Sequence, residues 1–155
     1  MQHILKKAAA CLAVAGLVLA VPAQAQGRGA AEKLRRLDIM LMVTALRCRT
    51  TPHNFQSDFA AFEAAHLSEL NGAANDMKRG MLAEYGPRGA ERALDRVSTG
   101  MANQYGQGHP WLDCADLKSV TRTLAMMRGP QALEEAADQL LSSDGSGEQL
   151  AWARR

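Results

Sequence analysis

Leu34-Arg-Arg-Leu37-Asp-Ile-Met40-Leu41-Met42-Val43-Thr44-Ala-Leu46-Arg-Cys48 decides the fold. Leu34, Leu37, Leu41, Thr44 and Cys48 fall at i, i+3, i+7, i+10 and i+14, the single stripe of an amphipathic helix. Met40, Met42, Val43 and Leu46 make its second half apolar on nearly every side. A helix of that kind is enclosed by others, so this segment, over Ala30 to Arg49, is expected at the centre of a helical bundle. Valine and isoleucine are scarce, and no strand candidate of weight appears elsewhere.

Downstream, Thr50-Thr-Pro-His53 breaks the first helix, and Asn54 is placed to cap a second from Phe55. Phe55, Phe59, Phe62, His66 and Leu70 line one face of that helix, which the pattern carries through Met77 and Met81 to about Tyr85. Gly86-Pro87-Arg88-Gly89 reads as a turn. A third helix places Ala90, Ala93, Leu94, Val97, Met101 and Tyr105 on one side and ends at the Gly106–Pro110 loop. Asp113 or Asp116 opens a fourth, with Leu117, Val120, Leu124 and Met127. Gly129-Pro130 separates it from a fifth carrying Leu133, Ala137, Leu140 and Leu141, with Pro130 in its first turn. The expectation is an all-α bundle of four to five helices over residues 30–142, then a loose tail over 143–155.

Upstream, Lys6-Lys7, an apolar run from Ala8 to Val21 and Ala23-Gln-Ala25 have the form of an export signal over residues 1–25. The run is too short for a spanning helix, which needs about 20 apolar residues, so no stable membrane anchor is expected after cleavage. Cys11 lies at the start of the run, where lipid attachment would leave no hydrophobic region upstream. Cleavage after Ala25 leaves 130 of the 155 residues, enough for one domain, with Gln26–Gly29 as a flexible leader.

Cleavage changes the charge and the cysteine count together. The chain has 18 basic and 16 acidic residues; losing Lys6 and Lys7 leaves 16 of each. No global basic field for nucleic acid survives. The three cysteines become two, Cys48 and Cys114, and an even pair in an exported chain reads as a disulfide. In the chain-entropy account, closing that loop removes about 4 kcal/mol of unfolded-state entropy. The expected compartment is the periplasm.

Candidate chemistry is sparse. His66 sits on the phenylalanine stripe with Glu63 and Glu69 at i−3 and i+3. A core-edge histidine bonded to backbone or glutamate is the commoner outcome there, a base or ligand the rarer one. His109-Pro110-Trp111, between flexible glycines and the expected disulfide, offers an amphipathic surface; covering the bundle end is the commoner role and partner recognition the alternative. With Tyr105 just before the loop, His66, His109 and Trp111 are the candidate binding surface. His53, His66 and His109 stand singly, so no metal set is expected, and no cofactor fingerprint, phosphate loop, haem motif or nucleophile elbow occurs. The methionines are expected as core filler before any copper(I) or partner role.

Lys33-Leu-Arg-Arg-Leu-Asp-Ile-Met-Leu-Met-Val-Thr-Ala-Leu-Arg-Cys-Arg49, Phe55-x-x-x-Phe59, Ala65-His66-Leu-x-Glu-Leu-Asn71 and Gly108-His-Pro-Trp-Leu-Asp-Cys114 together resemble small exported helical proteins of sphingomonad-type alphaproteobacteria. The resemblance covers most of the chain after residue 25, with Leu-Arg-Cys-Arg49 its most specific part. It implies an exported helical fold and supplies no catalytic residues. Some such proteins carry an S-adenosyl-L-homocysteine hydrolase label, but those enzymes resemble large Rossmann proteins, and this chain has neither the length nor the glycine fingerprint. The functional expectation is a binding or accessory module for a periplasmic protein, an envelope component or a small apolar ligand, without a recognisable catalytic site or cofactor. The alternative is a small hydrolase or lyase using His66 or His109 with a nearby carboxylate.

Overall fold

The structure, a computed structural model, describes residues 23–142. The expected export signal lies outside these residues except for Ala23–Ala25, and the expected 143–155 tail lies wholly outside. Five helices and no strand occur among the described residues: α1 (Ala23–Cys48), α2 (Gln56–Ala65), α3 (Leu67–Gln104), α4 (Cys114–Met126) and α5 (Pro130–Leu141). The all-α bundle holds. Residues 26–29, expected as a flexible leader, are instead part of α1, whose helical hydrogen bonding begins before both glycines.

α1 is the central element, packed against all four other helices. Leu37, Met40, Leu41 and Cys48 are buried along its length, as the stripe requires. Buried Thr44 belongs to that stripe because its hydroxyl donates to the Met40 carbonyl at 2.7 Å, satisfying the polar atom within its own helix. Phe55, Phe62, Leu117, Val120, Leu124, Leu133 and Leu140 close around this helix to form the core. Among the methionines, Met40 and Met101 are buried and Met77 and Met127 pack on the core, whereas Met42 and Met126 are exposed and fill nothing.

Two boundaries differ from the expected pattern. The helix expected from Phe55 to Tyr85 is broken at His66, whose backbone (φ −120°, ψ 20°) leaves helical geometry. Its N–H still reaches the Phe62 carbonyl and its own carbonyl accepts from Leu70, so the chain re-enters a helix at once with the apolar face retained. Second, Gly86-Pro87-Arg88-Gly89 is an elbow, not a four-residue turn: only Gly86 (φ 63°, ψ 176°) departs from helical geometry within α3.

The elbow folds α3 back on itself. In a straight helix residues 78 and 91 would be about 20 Å apart along the axis, yet Lys78 Nζ meets Glu91 Oε1 at 3.1 Å. Gly86 supplies the positive φ, and Pro87, lacking an N–H, starts the second arm where that group is dispensable. At Gly89 a β-carbon would stand 2.8 Å from the Tyr85 Cβ, so glycine is required by the close approach. α1 lies along both arms: its Arg28 reaches Gly80 on the first, and Arg35 donates to Ser98 Oγ on the second at 3.3 Å. Of the face expected inward on the second arm, Ala90, Ala93 and Met101 are buried, whereas Val97 is 37% exposed.

Cys48 and Cys114 form the expected disulfide, with Cα atoms 5.8 Å apart. It joins the last residue of α1 to the first of α4. Asp113 and Asp116 share the N-terminal work on α4: Asp113 Oδ1 accepts from the Ala115 and Asp116 N–H groups, and Asp116 Oδ2 accepts from the Asp113 N–H. This reciprocal cap satisfies three backbone N–H groups at the helix start. It holds the Asp113 carboxyl below the usual range, chiefly through backbone hydrogen bonding.

Candidate functional site

The loop between α3 and α4 gathers three of the four candidate residues. Tyr105 closes α3 as its C-cap, and its carbonyl accepts from the Gly108 N–H at 2.9 Å, which tightens the loop. Gly108 has a positive φ of 106°, with Arg47 of α1 lying against it. The turn lays the His109 ring beside Tyr105, with centroids 6.3 Å apart and planes 17° from parallel. Trp111 meets the other side of His109 edge-on, with centroids 4.7 Å apart.

Hydrogen bonding fixes the chemical form of His109. Its Nε2 lies 2.9 Å from the Leu140 carbonyl, which can only accept, so Nε2 carries the proton. Nδ1 then accepts from the backbone N–H groups of Leu112 at 3.2 Å and Trp111 at 3.4 Å. A neutral ring satisfies all three partners. Burial pushes the His109 pKa below its ordinary value, with the Leu140 hydrogen bond opposing. The Trp111 indole donates to the Ser142 carbonyl at 3.3 Å. Leu140 and Ser142 end α5, where helix carbonyls lack intrahelical donors. The loop thus caps α5 while the disulfide ties the following helix to α1.

Beside this cap is an open cleft of about 590 Å³. Its walls come from α1 (Arg36), the end of α3 (Gln104, Tyr105), the loop (Gln107 to Pro110) and the end of α5 (Leu140 to Ser142). Arg36 Nη1 donates to Gln104 Oε1 at 2.8 Å, and Nη2 to Glu32 at 2.9 Å. Burial pushes the Tyr105 phenol up, and hydrogen bonding and charge from Arg36 pull against that shift. The volume lies in the range of small-molecule clefts.

His66 is placed elsewhere. It is 2% exposed, packs against Phe62, and sets Nε2 2.8 Å from the Leu124 carbonyl near the end of α4. Each candidate histidine therefore donates to a carbonyl in the last turns of a helix, and each Nε2 is committed to backbone. Trp111 is half-buried and Tyr105 only 8% exposed. The loop aromatics serve mainly as scaffold; Tyr105 and His109 border the cleft and Trp111 does not line it.

Sequence reasoning missed Arg36, Gln104 and Gln107. Arg36 falls between Leu34 and Leu37, where a basic residue reads as ordinary solvated surface; its only distinction is facing the loop across 68 residues of sequence. Among the described residues no group of three or more His, Cys, Asp or Glu side chains is arranged to hold a metal ion. No helix among them is long and apolar enough to cross a membrane. No protein-family description matches the chain, and no curated protein or solved structure shows significant similarity to it.

Proposed function

We propose that this chain is exported to the periplasm and acts there as a binding module, with the Arg36–Tyr105–His109 cleft as its binding face. The observation that carries this reading is the convergence of Tyr105 and His109 at one cleft wall, with Trp111 packed on His109 and the group locked by the end of α5. A wall whose one imidazole has both nitrogens committed to backbone is suited to holding a ligand, not to moving protons. The Cys48–Cys114 bond supports an oxidising compartment. The cleft is open and bordered by apolar Pro110 and Leu141, which suits a small ligand or a projecting segment of an envelope component. Against a hydrolase or lyase weighs the use of both Nε2 atoms on carbonyls, where such a mechanism needs an acid.

The test is purification of the full chain from the periplasmic fraction, followed by native mass spectrometry of what travels with it. A Gln107→Trp variant, which fills the cleft from an exposed position, is the control. The expected result is a periplasmic protein beginning near Gln26 and a companion mass missing from the variant. Retention in the cytoplasm, or the same companion on both proteins, overturns the proposal.

A further inference from the structure

We infer that the cleft takes a carboxylate carried on a compact apolar body. This rests on the cleft being a binding face and adds the class of ligand. The polar side chains of the wall comprise one guanidinium, one phenol, one imidazole held neutral by its backbone contacts, two primary amides and one hydroxyl, and no carboxylate. Arg36 is the single charge among them. A guanidinium fork matches a carboxylate by parallel N–H donation, a geometry that a neutral or cationic ligand cannot use.

The neighbours of Arg36 sharpen the choice. Gln104 gives its Oε1 to Arg36, so its amide nitrogen, a donor only, is the end left for other contacts. The Gln107 amide and the Tyr105 hydroxyl add further donors at the same wall. Glu32 holds the second guanidinium nitrogen from outside the cleft through an exposed contact, which stabilises little and yields readily to a better-placed anion. Pro110 and Leu141 add apolar lining to the same cleft. A ligand with a carboxylate and several apolar carbons can use both kinds of lining at once.

A carboxylate of this form belongs equally to a short fatty acid and to the C-terminus of a peptide ending in an apolar residue. The experiment therefore uses hexanoate and N-acetyl-leucine, each against its neutral counterpart, hexanol and N-acetyl-leucinamide. Amide resonances of the oxidised protein are followed on titration, with Gln107 and Gly108 as reporters of the cleft. The expected result is saturable shifts with at least one carboxylate, and about tenfold weaker binding of its neutral counterpart, the difference one charge-assisted hydrogen-bonded pair makes. Whichever of the two carboxylates binds more tightly identifies the source.

Arg36→Gln is expected to bring carboxylate and neutral compound to equal affinity. Gln104→Glu places a competing carboxylate beside an intact Arg36 and is expected to have the same effect. Circular dichroism and the persistence of the disulfide establish that both variants fold. Equal shifts from carboxylate and neutral compounds overturn the ligand class and leave the cleft standing as a binding face. So does a carboxylate preference that survives in both variants. Absence of shifts with all four compounds removes the carboxylate assignment, while the companion-mass test on Gln107→Trp decides the cleft independently.

Discussion

His109 donates from Nε2 to the Leu140 carbonyl at 2.9 Å, so one neutral imidazole holds the end of α5 against the loop that enters α4. Its other nitrogen accepts from two backbone amides of the same loop. Protonation at Nδ1 ends both of those contacts.

The folded pKa of His109 is depressed by burial, so the unfolded chain binds the proton more readily. The stabilisation from the neutral ring is complete above about pH 6.5, the unfolded value, and is lost as pH falls from there toward the lower folded pKa. Denaturant unfolding at pH 7.5 and pH 5 is expected to show this loss. In His109→Gln the His109 share of the pH dependence is expected to vanish, with stability about 1–2 kcal/mol lower at pH 7.5.

Asp38 behaves oppositely. Burial raises its carboxyl pKa, Arg35 pulls it back down, and Glu63 on α2 raises it again. A raised folded pKa means that ionisation costs stability above that pKa, and that the cost is relieved as pH falls through it. Asp38→Asn, which keeps an acceptor for Arg35, is expected to raise stability at pH 7 by a few tenths of a kcal/mol. Its gain is expected to shrink at pH 4, as chemical denaturation at both pH values would register.

Replacing His66 separates a structural histidine from a site residue. His66→Ala removes a buried ring and the proton given to Leu124 O, and is expected to cost about 3 kcal/mol in urea unfolding. Ligand shifts at Gly108 are expected to be unchanged under conditions where the variant is folded. A selective loss of cleft binding would make the structural assignment wrong.

The α3 elbow gives a paired prediction. Gly86→Ala meets no atom within 4 Å, but φ 63° with ψ 176° lies in a backbone region essentially confined to glycine, an expected cost of about 1–3 kcal/mol. Gly89→Ala has helical backbone but sets its Cβ against Tyr85 Cβ, and overlap of that kind typically costs about 1–3 kcal/mol. Both variants are therefore expected to unfold at a lower denaturant concentration than the parent chain, by similar amounts; an unchanged midpoint in Gly89→Ala would show that backbone conformation, not contact, sets the elbow.

Reduction tests the staple. Breaking Cys48–Cys114 is expected to lower stability by about 4 kcal/mol in the entropic account. The Cys48→Ser/Cys114→Ser double variant should unfold at correspondingly lower denaturant concentration, oxidant having no further effect on it.

Much of the bundle was legible because apolar spacing at 3.6 residues is a strong local signal, from which α1, α4 and α5 follow; the disulfide was legible from the even cysteine pair, and the start of α5 from Gly129-Pro130. The break at His66 was not legible, since it belongs to a chain position where a side chain is drawn to a carbonyl 58 residues away. The elbow was half legible: Gly86-Pro87 announced a change of direction, but its compactness depends on the contact between residues 85 and 89. For the cleft, the loop aromatics stood out by rarity. Arg36 and Gln104 did not, because their meaning comes only from pairing across the molecule.

The disulfide brackets the whole of α2 and α3, including the exposed elbow at Pro87. A protease that clips the elbow would therefore produce two pieces that migrate as one until a reductant parts them. In a compartment shared with proteases, the covalent tie turns a cut at the most exposed corner into a survivable nick, with neither half able to diffuse away from the other.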